Sequence, residues 1–190
     1  MGLELSLANT VTQRDASRDV RLRSMMDAHF DVVWRALRRL GVTDAGVDDA
    51  AQQVFLVASR RLDAIEPGGE RAYLLGIALR VASDSRRAVR RRREVPMDDA
   101  IAETGATHAA GSAAAPPDAA LEQRRALAVL AAILDEMPEE MREAFVLFEL
   151  EELSAPEVAQ LLGVPVGTVA SRVRRARQHF RRSLTVRGAS

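Results

Sequence analysis

The sequence contains no cysteine and no lysine. The first absence removes disulfide frameworks, thiolate zinc sites and a cysteine nucleophile. The second leaves arginine to fill all 27 basic positions. Arginine presents a planar fork of donors that suits phosphates and guanine edges, although an arginine bias also follows from GC-rich coding DNA. Only three histidines occur, His29, His108 and His179, far apart along the chain, so no metal site and no cofactor is expected. No apolar run approaches the ~18 residues of a membrane span. Met1 to Val20 holds no apolar stretch of signal-peptide type, which sets a cytoplasmic location as the expectation. No glycine-rich phosphate cradle and no nucleophile setting is present. The carboxylate pairs Asp48–Asp49 and Asp98–Asp99 are adjacent in sequence, and adjacent residues do not share a helix face. Capping and solvation explain them, so no catalytic residue is assigned and no enzyme is expected.

What is present is charge, sorted by position. The formal net charge is zero, from 27 basic and 27 acidic residues. Arg80 to Arg93 nevertheless carries seven arginines against one acid, and Ser171 to Arg187 carries seven against none. Asp135 to Glu157 holds nine acids against Arg142, and Glu94 to Glu122 holds six acids and no lysine or arginine. Two basic patches therefore stand apart with acidic stretches between them, and it is this segregation that informs.

The hydrophobic pattern is helical throughout. Residues 1–20 are polar and aperiodic and predict a flexible tail. Leu22, Met25, Met26, His29, Val33, Leu37 and Leu40 recur at helical spacing, with Gly41 as the stop. Asp48 to Leu62 repeats the pattern through Val54, Phe55 and Ala58. Pro67-Gly68-Gly69 breaks the chain, and Arg71 to about Arg92 predicts a third helix. Residues 95–118 are acidic, rich in small residues and punctuated by prolines, the composition of a flexible linker. Helices resume with a stripe of Leu121, Leu127, Leu130, Ile133 and Leu134. Pro138 to Leu150 follows, with Met141, Phe145 and Phe148 inward. The expected fold class is all-α: two small helical domains, 21–94 and 119–187, joined by the linker. The second is expected to hold a helix-turn-helix of winged-helix-like kind.

The sharpest local signal runs from Ser154 to Arg177. Ser154-Ala155-Pro156-Glu157 is a capping box with proline at an early helical position. Val158, Leu161 and Leu162 follow as an inner face. Ala159 is small where a second helix must cross, and Gly163 sits where the chain must turn. Another helix starts near Val166, with Val169, Val173 and Ala176 inward. That is a helix-turn-helix in spacing and residue type. Its outward residues are Thr168, Ser171, Arg172, Arg174, Arg175, Arg177 and Gln178. Polar residues early on such a helix reach base edges in a major groove, and later arginines neutralise phosphates. The bland alternative is a helical hairpin with a solvated basic face.

Two weaker signals accompany it. The helix from Ala72 to Arg93 is apolar on one side and arginine-studded on the other. Tyr73 and the loop from Ile65 to Glu70 suit an unpaired base, since single strands are read by stacking and pockets; a solvated face and a core tyrosine are the plainer readings. Asp49 to Phe55, taken alone, is an amphipathic helix.

The order of these pieces resembles the extracytoplasmic-function (ECF) branch of the sigma factors of bacterial RNA polymerase. Phe30 to Arg93 resembles family region 2 through Val33-Trp34-Arg35, Asp49-Ala50-Ala51-Gln52-Gln53-Val54-Phe55 and Arg71-Ala72-Tyr73-Leu74-Leu75-Gly76-Ile77-Ala78. Leu134 to about Leu184 resembles region 4 through Met137 to Phe145, Leu153 to Gly163 and Gly167 to Arg177. The resemblance implies that Asp49, Gln52 and Phe55 dock on the β′ clamp helices of core RNA polymerase, with the β flap as a second contact. It implies that the loop from Ile65 to Glu70 and the helix after it, with Tyr73, Arg80, Asp84, Arg86 and Arg87, melt the −10 element and hold a flipped base. It implies that Thr168, Ser171, Arg172, Arg174, Arg175 and Arg177 read the −35 element as duplex. Promoter DNA, core polymerase and an anti-sigma factor are the implied partners, with no small-molecule substrate and no direct membrane insertion. The family often has Trp in place of Tyr73, Asn in place of Arg80 and a basic residue in place of Ala170; these departures bear on the promoter sequence, not on the class. The residues themselves also leave open a stand-alone helix-turn-helix regulator, or a helical interaction protein that binds no DNA.

Overall fold

A computed structural model describes residues 2–94 and 117–188, with side chains placed between 16 and 187 except for 93–118. Among the described residues every regular element is helical. The long helix α1 (Gly2–Arg39) is followed by α2 (Val47–Ser59) and α3 (Glu70–Glu94). After the undescribed stretch come α4 (Pro117–Glu136), α5 (Glu139–Phe145), α6 (Ala155–Leu162) and α7 (Val166–Gly188). The expected linker lies outside the described residues, apart from Pro117 and Asp118, which open α4. No described helix is long and apolar enough to cross a membrane.

The expected tail is corrected, because α1 starts at Gly2. Residues 2–20 lack proline and contain Leu3, Glu4, Leu5, Leu7, Ala8, Gln13 and Arg14. These are good helix formers, and adding turns to a helix already anchored elsewhere needs no new nucleus. Aperiodic hydrophobicity argued only against burial, not against helix.

α1, α2 and α3 pack as a three-helix unit. Met25, Val33, Ala36, Leu37 and Leu40 from α1 are buried against Ala51, Val54, Phe55 and Ala58 of α2 and Leu74, Leu75, Ala78 and Ala82 of α3. Met26, placed in the apolar stripe by spacing, is instead exposed. Gly41, with φ +92°, ends α1 in a conformation that L side chains rarely adopt. Trp34 fixes the start of α2 by donating its indole N–H to Asp48 at 2.9 Å.

The second unit is built on α7, which contacts α4, α5 and α6. Ile133 and Leu134 of α4 are buried, whereas Leu121 and Leu127 are exposed, so the apolar stripe of α4 packs only at its C-terminal end. The helix expected from Pro138 to Leu150 changes character: α5 ends at Phe145 and a π-helical turn, Val146–Leu150, continues it. Phe145 stacks on Phe180 of α7 with ring centroids 5.4 Å apart. After the π turn the chain bends at Glu152, whose φ of +52° is left-handed.

The two units pack on each other. Gly76 of α3 faces Leu161 of α6 so closely that a Cβ would lie 2.7 Å from its methyl carbon. Glu151, 2% exposed, accepts from Arg39 at 2.8 Å and pairs with Arg71 at 3.3 Å, while Arg71 also donates to its carbonyl. Burial pushes the Glu151 carboxyl above the usual range, against the pull of Arg39 and Arg71. Arg86 bridges Glu139 at 2.6 Å and Glu143 at 2.8 Å, and donates to the Leu40 carbonyl.

Candidate nucleic-acid interface

The duplex-reading candidate is built by α6, its turn and α7. Ser154, extended at φ −65° and ψ 154°, accepts from the Glu157 amide, and the Glu157 carboxylate accepts from the Ser154 amide at 2.8 Å. The Ser154 hydrogen bonds hold the Glu157 carboxyl below the usual carboxylate range. Pro156 sits where its missing N–H has no helical partner to lose. Gly163 closes α6 in the left-handed conformation at φ +65°, and Val164 donates back to the Ala159 carbonyl at 3.1 Å. Val158, Ala159, Val169, Val173 and Ala176 are buried between the two helices. This packing fixes which face of α7 is left over. Arg174, Arg175, Arg177 and Gln178 are exposed, together with Gly167, Ala170 and Arg181.

The expected −35 residues do not all stand alike. Arg174 and Arg175 are exposed, and Arg175 donates its Nε–H to the Ser171 carbonyl at 3.4 Å. Arg172 is folded down onto α5, paired with Glu140 at 2.7 Å, with only 13% of its side chain exposed. Arg177 pairs with Glu149 at 2.6 Å and lies 5.9 Å over the Phe148 ring. Ser171 is half-buried and donates to its own helix at Thr168. Ala170 and Arg181 share this open face although the basic-face pattern alone does not pick them out. The signal that finds them is spacing, since 167, 170, 174, 178 and 181 recur at three and four residues along the open face.

On α3 the candidates separate by face. Tyr73, Arg80, Asp84 and Arg87 fall on one stripe by helical spacing. Arg80, Asp84 and Arg87 are exposed, and Tyr73 is half-buried against the core. Arg86 points elsewhere, into the contact with Glu139 and Glu143. The Arg86 guanidinium holds the Glu139 carboxyl below its usual range. For Glu143 burial wins, and its carboxyl is pushed up.

The loop before α3 has a buried base and an exposed tip. Ile65 is buried, and Glu66, Pro67 and Gly68 are exposed. Gly68 is at φ +87° and donates its amide to the Glu70 carboxylate at 2.6 Å. Backbone hydrogen bonds of this kind hold Glu70 below the usual carboxylate range.

On α2, Asp49 and Gln52 are exposed beside Leu56, which is 54% exposed. Phe55 is 4% exposed and stacks on Phe30 at 6.2 Å, so it supports that face from beneath rather than lying on it. Among the described residues no cluster of histidines and carboxylates has the arrangement of a metal site.

Comparison with known proteins bears on these faces. The family profile described as "Sigma-70, region 4" matches residues 127–180. The ECF RNA polymerase sigma factor SigE of Mycolicibacterium smegmatis is 33% identical over 153 residues, 80% of this chain and 57% of that protein. The chain thus spans little more than half the length of that relative. The ECF RNA polymerase sigma-E factor of Escherichia coli K12 is 33% identical over 141 residues, 72% of this chain and 73% of its own length. The RNA polymerase sigma factor CnrH of Cupriavidus metallidurans is 30% identical over 150 residues, 78% of each chain. Among solved structures, CnrH in complex with the cytosolic domain of CnrY superposes with a TM-score of 0.61 at 26% identity, covering 87% of this chain and 88% of CnrH. The sigma factor RpoE in complex with the anti-sigma factor NepR, from Bartonella quintana, gives 0.65 at 21% identity, covering 86% and 96%, and attests the fold alone. With identity at this level across both helical units, the chain belongs to the ECF family of bacterial RNA polymerase sigma factors.

Proposed function

We propose that this chain directs core RNA polymerase to a two-part promoter from the cytoplasm, and that all bond-making chemistry stays in the polymerase. The α2 face of Asp49, Gln52 and Leu56 docks on the β′ clamp helices, with the β flap taking the second unit. Tyr73, Arg80, Asp84 and Arg87 on α3, with the loop before it, take the melted −10 strand. The open face of α7, led by Arg174 and Arg175, enters the major groove of the −35 element. The observation that carries this reading is the capped helix-turn-helix with an arginine face left clear, on a chain whose other unit presents a second arginine stripe.

Neither stripe alone carries enough phosphate contacts for tight specific binding. Tethering both to one polymerase raises their effective concentration, so two weak contacts act together across a spaced site. An anti-sigma factor is a proposed partner, since CnrH is solved in complex with the cytosolic domain of CnrY and RpoE in complex with the anti-sigma factor NepR. The test is transcription with purified core polymerase on a promoter library. Start sites set by this protein support the reading, and start sites indifferent to it refute it.

A further inference from the structure

The first described side chains of α1 reach across to the connection between α2 and α3. Arg18 and Arg21 are three residues apart and so share a helix face. Arg18 pairs with Asp63 and donates to the Ser59 carbonyl at 3.3 Å. Arg21 donates one guanidinium nitrogen to the Leu62 carbonyl at 2.9 Å and the other to the Ile65 carbonyl at 2.5 Å. The second nitrogen also stands 3.7 Å from Glu70. The remaining Glu70 oxygen accepts the Gly68 amide. A chain of contacts therefore runs from Arg21 to both ends of the exposed Glu66–Gly68 tip.

This placement has a physical cost that needs a reason. Ser59 is the last residue of α2 and Ile65 caps the short 3-10 turn Leu62–Ala64, while Leu62 opens that turn and its carbonyl already accepts the Ile65 amide at 3.3 Å. Orphan carbonyls at a helix end are usually met by water or by a cap. Here Arg18 meets the Ser59 carbonyl and Arg21 meets that of Ile65, adding a second donor to Leu62, and side-chain entropy is given up to do so. What is gained is position: the fork spans two carbonyls at fixed separation, which a point charge such as lysine does not do. Ile65 is otherwise the only buried residue between Asp63 and Gly69.

We infer that Arg21, supported by Arg18, is a positioning residue for base recognition: it fixes the Glu66–Gly68 tip in the shape that receives an unpaired promoter base. This rests on the proposed function, in which that loop meets the −10 strand. Arg21 touches no DNA in this account and acts through the loop backbone. Its removal loosens the tip and weakens discrimination among bases more than it weakens occupancy.

The experiment uses holoenzyme reconstituted with wild-type, Arg21→Ala, Arg21→Lys and Glu66→Ala chains. Probes are promoters with each of the four bases at the flipped −10 position, and one with 2-aminopurine there to report unstacking. Affinity for core polymerase and melting temperature are measured alongside. Wild type should discriminate among bases and light the probe. Arg21→Ala should lower the preference ratio about tenfold, the worth of one charged hydrogen bond, with core affinity unchanged. Arg21→Lys should fall between the two, which a purely structural defect would not produce. Full discrimination by Arg21→Ala, with Glu66→Ala impaired, would overturn the inference and leave the loop reading intact. Full discrimination by both variants would overturn the loop reading as well.

Discussion

Ser154 shows how much of the duplex-reading geometry depends on single side chains. Its hydroxyl and the Glu157 carboxylate satisfy each other's backbone amides at the start of α6. Replacing an N-cap serine by alanine costs about 1 kcal/mol, so Ser154→Ala should lower the melting temperature by a few degrees. The pH dependence has a definite sign. Glu157 is depressed in the folded chain, so its contribution is present above the ordinary carboxylate range and is lost as pH falls through the lowered value. Melting curves of wild type and Ser154→Ala should therefore differ more at neutral pH than in acid, where only the Glu157 amide to Ser154 hydroxyl bond remains to be lost. Gln52 offers a second test at this scale. It is exposed and makes no described hydrogen bond, so Gln52→Ala should leave the melting temperature unchanged while weakening affinity for core polymerase.

Among elements, α7 divides its arginines between two tasks. Arg172 and Arg177 are tied back to Glu140 and Glu149, whereas Arg174 and Arg175 are exposed and pair with no acid among the described residues. Removing one phosphate contact lowers the slope of log affinity against log salt by about one. Arg175→Ala should show that loss on −35 duplex, or lose base preference if its contact is to a base edge. Arg172→Ala should do less to the slope, since its pair with Glu140 must break before it can reach DNA. Fluorescence anisotropy across a salt series separates the two. The spacing of Ser154 to Arg177 made the cap, the turn and the buried face of α7 legible in the sequence. It could not divide the arginines, because their acidic partners, on α5 and in the π turn after it, lie some thirty positions away and come near only in the folded unit. Phe55 is different: its spacing places it in the apolar stripe of α2 and the resemblance implies a docking role, and its burial and stack on Phe30 show that it lies beneath the docking face. Arg18 and Arg21 were beyond reach for another reason. Their acceptors are backbone carbonyls more than forty positions on, and a carbonyl has no signature in a sequence.

For the whole molecule, the arrangement of the two units is set by acids of the second meeting arginines of the first. Glu139 and Glu143 occupy Arg86, and Glu151 is sealed between Arg39 and Arg71. The charge segregation seen along the chain thus becomes complementarity between its halves. Glu151→Leu leaves Arg39 and Arg71 without their shared acid and removes the hydrogen bonds that join the units there; it should therefore loosen the units without unfolding them. The chain has no cysteine, so two introduced on exposed positions, one in each unit, take fluorescent labels cleanly. Energy transfer between them should fall in Glu151→Leu while helix content by circular dichroism stays constant. The resemblance implies a −10 contact for Arg86 with Arg80 and Arg87, yet the helix turns Arg86 toward the other unit, where it pairs with Glu139 and Glu143. The central claim is that this protein chooses where polymerase starts. Start-site mapping with core enzyme and a promoter library measures this directly. The account predicts starts at a fixed distance from a paired −35 and −10 sequence, present with the wild-type chain and reduced with Gln52→Ala. Identical start sites with and without the protein would contradict it.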